Sequence, residues 1–424
     1  MKRCPECRRD YYDDSLIYCL DDGSALLEGP ASGEAPTILL TDPERPDGDA
    51  KQKGLRLTSK GAGLLAAALI VVAIGVGYFW IVRKPAGNGG PDPRAYEKYL
   101  KAKVLATSEN KSDNEAAISL LEDAVKDDPQ YAVAWAALAK TYVTKSFYFA
   151  GPDERKILNQ NAEIAVERAL AIDPNLSEAY FARGFVLWTH AKRFPHEQAI
   201  QAYNRSIALN PNFDEVHHQL GLVYLHLGLF DKARAEIGKA LEINSGNTLA
   251  RMRYGVIDLY RGKYDEALSF FNSTPSEANP SLHACQTATA LFKLGRTDDA
   301  TKMIDKYLGE YPDDEGGVGM SVKAMIFAVN GNRKDAEAAI ERADTIGRDF
   351  GHFHHTAYNI ASAYAILNQP EKAVDYLQLA ADDGFPCYPL FESDDAFKNM
   401  RQNSRYVALL AKLKQQWDRY NSTI

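Results

Sequence analysis

Three cysteines fall within the first twenty residues of this chain. Cys4 and Cys7 are separated by two residues in C-P-E-C, and Cys19 follows after eleven more. Thiolates so close together at the start of a chain suit a soft, tetrahedral metal, with zinc preferred. The remaining cysteines, Cys285 and Cys387, are far apart and unaccompanied, so a disulfide framework is not expected. A second group of metal-binding side chains is His352, His354 and His355. No cysteine or carboxylate stands at ligand spacing beside it, and it is set aside as a metal site. The chain holds no glycine-rich phosphate loop, no His-Glu-x-x-His motif and no Gly-x-Ser-x-Gly elbow, so no catalytic residue and no small-molecule substrate is expected.

The cysteine segment reads C4-P-E-C7, then eleven residues, then C19-L-D-D22-G23, and it resembles a zinc ribbon. In that family two short hooks each supply two ligands. Asp22 stands where the fourth cysteine is usual, which implies the ligand set Cys4, Cys7, Cys19 and Asp22, with Asp21 as the alternative oxygen donor. Residues 1–28 are too few to fold on apolar burial alone, so the metal would be structural and would supply the folding energy.

These ligands must be held by something, and the chain divides into distinct stretches. Residues 29–60 are rich in Gly, Pro, Asp and Glu and read as a flexible linker. Residues 61–82, GAGLLAAALIVVAIGVGYFWIV, carry no charge and match the length of one transmembrane helix, with Tyr78 and Trp80 near its end. Residues 83–94 form a short Gly/Pro linker. Lys51, Lys53, Arg56 and Lys60 precede the span and outnumber Arg83 and Lys84 after it. The positive-inside rule, with the preference of thiolates for a reducing compartment, places the N-terminus in the cytoplasm. The expected location is a bacterial inner membrane, crossed once, with the C-terminal part periplasmic.

Residues 95–386 repeat. The clearest unit is 214–245, DEVHHQLGLVYLHLGLFDKARAEIGKALEINS, with Gly221 and Tyr224 in a first helix and Ala233, Ile237 and Ala240 in a second. An alanine at the start of the second helix recurs at Ala117, Ala162, Ala199, Ala233, Ala267, Ala300, Ala336 and Ala373. Small residues at these places let two helices cross closely. Pro129, Pro174, Pro211 and Pro312 mark the loops between units. The spacing from Pro129 to Pro174 exceeds the unit length because of extra residues around 146–155, and three more sit in the loop HAKRFPHEQ. This signature resembles the tetratricopeptide repeat (TPR), whose period is about 34 residues. The resemblance implies an all-α fold, a TPR α-solenoid of about eight helical hairpins. Residues 387–424 depart from the repeat and are expected to cap it, with Val407, Leu410, Leu413 and Trp417 on the covering face. The array also looks like the TPR tails of bacterial transmembrane Ser/Thr kinases and adenylate cyclases, but no kinase motif is present.

In a TPR superhelix the first helix of each hairpin lines the concave side. That rule selects Phe181, Phe185 and Trp188, then His218, Leu222 and Leu225, then Met252, Val256 and Leu259 as a partner-binding groove. The row is apolar and lacks the Lys, Asn and Arg set of a carboxylate clamp, apart from Lys140. An amphipathic helix or extended apolar segment is therefore the expected protein or peptide ligand. The net charge of −8 argues against nucleic acid. The expectation is a membrane-anchored, non-enzymatic scaffold with a zinc module across the membrane. The alternative is a transmembrane sensor whose repeats signal to the ribbon, which contacts a cytoplasmic protein or DNA.

Overall fold

The computed structural model describes residues 2–3, 10–11, 27–28 and 90–424 except 107–110, 277–278 and 349. The chain divides into two compact units, Met1–Lys84 and Pro85–Ile424. In the first, the strands β1 (Lys2–Arg3), β2 (Asp10–Tyr11) and β3 (Leu27–Glu28) form an antiparallel sheet in the order β2-β1-β3. The expected zinc ligands Cys4, Cys7, Cys19 and Asp22, the linker 29–60 and the apolar run 61–82 lie outside the described residues. Among the described residues no helix is long and apolar enough to cross a membrane.

The second unit is helical throughout its described length. Eight antiparallel hairpins follow one another. The first four are α1 (Pro93–Leu105) with α2 (Lys111–Asp127), α3 (Ala132–Tyr148) with α4 (Pro152–Ile172), α5 (Ser177–Leu187) with α6 (His196–Leu209), and α7 (Asp214–His226) with α8 (Phe230–Ile243). The second four are α9 (Thr248–Tyr260) with α10 (Tyr264–Asn272), α11 (Pro280–Lys293) with α12 (Thr297–Glu310), α13 (Val318–Val329) with α14 (Arg333–Gly347), and α15 (Phe353–Ile366) with α16 (Pro370–Asp382). The short α17 (Tyr388–Ser393) and the long α18 (Ser404–Thr423) complete the chain.

The recurring alanines explain the hairpins. Ala117, Ala162, Ala199, Ala233, Ala267, Ala300, Ala336 and Ala373 all lie in second helices and have no exposed surface. Their partner in the fourth hairpin is Gly221, where an added Cβ would stand 2.5 Å from Ile237 Cγ1. Only a missing side chain allows that approach. The loops between hairpins repeat one device. Asp128, Asp173, Asn210 and Asn244 each accept, through a side-chain oxygen, the backbone N–H two residues ahead. These turns end the second helix and redirect the chain. Asn247, Asn279 and Asn403 then cap α9, α11 and α18 by accepting the N–H three residues on.

The inserted residues act at long range. α3 and α4 run to 17 and 21 residues, against 13 and 14 for α7 and α8. The extra turn places Phe147 against Phe350 and His352, with ring centroids 5.8 and 4.4 Å apart. In the second insertion Arg193 and Phe194 both take positive φ, which turns the Phe194 ring toward Gly384. Gly384 is required on two grounds: its φ is +102°, and a Cβ there would meet the Phe194 ring at 2.5 Å. The inserted loops thus join the second and third hairpins to the last.

The C-terminal cap differs in register from expectation. The buried face of α18 is Tyr406, Leu409, Leu413 and Tyr420, with Leu410 and Trp417 at its border, and Val407 is 50% exposed. The face is set by Tyr406, whose hydroxyl donates to the carbonyl of Phe391 at 2.6 Å.

The inner face and its candidate site

The expected groove is closed. Phe181, Trp188, His218, Leu222, Leu225, Met252, Val256 and Leu259 are all buried, and of the nine residues selected only Phe185 stays half-buried. The neighbouring repeats cover part of it: Phe181 packs on Tyr203 and Phe213, and Trp188 on Phe194, His226 and His352. The chain's own C-terminal segment, 384–400, covers the ends of α7, α9 and α11 and the start of α15. Cys387 Sγ donates to the carbonyl of Leu225 at 3.8 Å. Pro389 seats on Gly228 at the end of α7, and Trp417 Nε1 donates to the Gly228 carbonyl at 3.1 Å. Phe385 stacks among His226, Tyr260, His354, His355, Tyr358 and Phe391, and is itself fully buried. α7 is buried along nearly its whole length, its three histidines included.

A buried ion pair fixes this segment. Asp394 pairs with Lys293 of α11 and accepts the Tyr358 hydroxyl of α15. Burial, and then the Asp394 charge, push the Tyr358 phenol far above its ordinary range. Beside this pair lies a cavity of about 260 Å³, lined by Leu259, Tyr260, Lys293, His355, Tyr358 and Asp394 among others.

The histidines set aside in the sequence gather here. His226 closes α7, and His354 and His355 open α15. His226 Nδ1 donates to the Leu222 carbonyl at 2.8 Å, and its Nε2 stands 3.2 Å from His354 Nε2. Tyr260 Oη lies 3.4 Å from His355 Nδ1, and His355 Nε2 is buried with no hydrogen-bond partner. Asp383 supplies the carboxylate missing from the linear sequence: its Oδ2 is 3.4 Å from His354 Nδ1, and its other oxygen bonds His190. Burial by itself would raise the Asp383 carboxyl, and the His190 hydrogen bond, with His354 facing the other oxygen, holds it below the usual range. Burial pushes His226, His352 and His355 well below an ordinary imidazole, so these rings are neutral. No spacing in the sequence shows that His226 meets His354, because the meeting depends on the closure of the array.

The N-terminal part of the inner face is different. Lys140 of α3 pairs with Glu215 of α7 and lies over the Phe181 ring at 5.5 Å. Burial works against the Glu215 carboxylate, and the Lys140 ammonium outweighs it and holds the carboxyl below its ordinary value. Phe185 stacks on Phe181 beside this pair, with centroids 6.1 Å apart.

Comparison with known proteins agrees with the repeat architecture. A family model described as TPR repeat matches residues 196–228, and one described as tetratricopeptide repeat matches 214–247 and 354–382. The chain therefore carries tetratricopeptide repeats, and the matched stretches are the hairpins that contribute His226 and His354. Anaphase-promoting complex subunit 3 of Schizosaccharomyces pombe is 25% identical over 150 residues, 35% of this chain and 22% of that protein. BBSome complex member BBS4 of Bos taurus is 36% identical over 76 residues, 18% of this chain and 14% of that protein. The chain thus spans less than a quarter of the length of either relative. Among solved structures, a tetratricopeptide repeat protein from Parabacteroides merdae is 21% identical with a TM-score of 0.43, covering 66% of this chain and 100% of that one. Yeast Tom70 is 15% identical with a TM-score of 0.40, covering 81% and 69%.

Proposed function

We propose that this chain is a scaffold that holds a protein or peptide partner on the inner face of its first three hairpins, α1 to α6. The observation that carries the reading is the contrast along the inner face. From α7 onward the selected residues are buried, with the C-terminal segment over Leu225, whereas Phe185 remains half-buried beside the Lys140–Glu215 pair. A ligand for this stretch needs an apolar side chain for Phe185, and polar groups that tolerate the ion pair, as an amphipathic helix provides. The apolar run 61–82 tethers the scaffold to a membrane, with residues 1–28 as a structural zinc module on the cytoplasmic side through Cys4, Cys7, Cys19 and Asp22.

Site-specific photocrosslinking in membranes tests the docking surface. A crosslinker placed at Phe185 is expected to capture a discrete partner, and one placed at Leu225 is not. Capture from position 225 with none from 185 would overturn the assignment. Topology is checked by a reporter fused after Ile424 that is active only outside the cytoplasm. For the zinc module, Cys7→Ser in the full-length chain should lower the zinc content by one equivalent.

A further inference from the structure

We propose that His226, His354 and His355 form a binding site for a divalent cation of the zinc class, with Asp383 as its positioning residue. One ring nitrogen of each histidine lies within 4.8 Å of the others, and the groups come from two helices, α7 and α15. The tautomers decide the matter. His226 Nδ1 donates to the Leu222 carbonyl, so its Nε2 carries a lone pair. His354 Nδ1 faces the Asp383 carboxylate at 3.4 Å, and neither atom has a hydrogen-bond partner. A proton on that Nδ1 gives His354 Nε2 a lone pair as well. In that tautomer two lone pairs face each other at 3.2 Å inside the protein, an arrangement that a cation completes.

The separation suits a metal. Two nitrogens each ~2.0–2.1 Å from a tetrahedral ion stand roughly 3.3–3.4 Å apart. A carbonyl on the far nitrogen of one ligand and a carboxylate on that of another is the usual outer arrangement of metal-bound imidazoles. His355 offers a third nitrogen within 4.8 Å of the other two, and its Nε2 lacks any partner. His355 also lines the 260 Å³ cavity, which is the side from which a fourth ligand would approach. Three imidazoles without thiolate suit zinc, cobalt, nickel or copper and not magnesium or calcium. The competing account is a proton on His354 Nε2, in the neutral or the charged ring, donated to His226.

The experiment uses the full-length chain carrying Cys4→Ser, Cys7→Ser and Cys19→Ser, which removes the N-terminal thiolates. Cobalt(II) is titrated and the visible absorption followed. One equivalent is expected to bind, with d–d bands, no thiolate charge-transfer band, and displacement by zinc. His226→Ala in the same background should abolish the band. His355→Ala takes its place if that variant does not fold. Asp383→Asn should keep the band but weaken the affinity about 10- to 100-fold, which a purely structural carboxylate would not do. A folded chain that shows no cobalt band, or a band unchanged by His226→Ala and His355→Ala, would overturn the site.

Discussion

His226 Nε2 lies 3.2 Å from His354 Nε2 although 128 residues separate them in the chain. The two belong to the fourth and eighth hairpins, so the array closes on itself. Two insertions and the C-terminal segment complete the closure: Phe147 meets Phe350, Phe194 meets Gly384, and Cys387 meets Leu225. A superhelix packed in this way presents much less inner surface than its repeat pattern implies.

The first prediction separates core from docking surface. Val256 is 1% exposed and Phe185 is half-buried. Val256→Ser should destabilise by about 2–5 kcal/mol, through a cavity and an unpartnered hydroxyl. Phe185→Ser should cost well under half of that and weaken partner capture. Urea unfolding of the two variants, followed by crosslinking, checks both parts.

The second concerns the helix crossing. Ala233 is fully buried, and its carbonyl oxygen stands 3.2 Å from the position a Cβ on Gly221 would take. Ala233→Phe leaves no room for the ring and should destabilise by at least about 1–3 kcal/mol, with a lowered midpoint in urea.

The hairpins were legible in the sequence because their determinants are local. Gly221, Ala233 and Ile237 lie within one hairpin, and steric need dictates small residues at fixed spacing. The filling of the groove was not legible for the opposite reason. Leu225 is covered by Cys387, 162 residues away, and an apolar residue under a self-ligand has the same pattern as one awaiting a partner. The histidines follow the same rule: His352, His354 and His355 were visible together, and Asp383 meets His354 within the last hairpin, but His226 joins them only through closure. Val407 was misplaced because α18 takes its register from Tyr406, outside any repeat.

The third prediction addresses the ion pair between Lys293 and Asp394, whose side chains are 14% and 2% exposed. Lys293→Met strands a buried carboxylate and should cost about 3–5 kcal/mol. Adding Asp394→Asn should restore part of that loss, because the orphaned charge is removed. A double-mutant cycle on chemical denaturation measures the coupling.

The fourth concerns acid. Burial, and then Arg253, depress the His218 imidazole from 6.5 to about 3. Below pH 6.5 the unfolded chain takes a proton at this position and the folded chain does not. The stability from keeping His218 neutral is therefore full above that pH and falls as the pH drops toward 3. His218→Leu should make the decline shallower between about pH 6.5 and 4.5, the window above the carboxylates. Unfolding midpoints measured across that window give the slope.

The seating of the C-terminal segment on the inner face is tested most directly at Cys387. Its thiol is fully buried, and burial pushes its pKa far above the ordinary range, so the reactive thiolate is suppressed. Alkylation of the native full-length chain, read at Cys387 by peptide mass spectrometry, is expected to be slower than in urea by at least on the order of 100-fold. Labelling at the denatured rate, in a chain whose helices still melt cooperatively, would contradict the account: the segment would not be seated and the groove would be open.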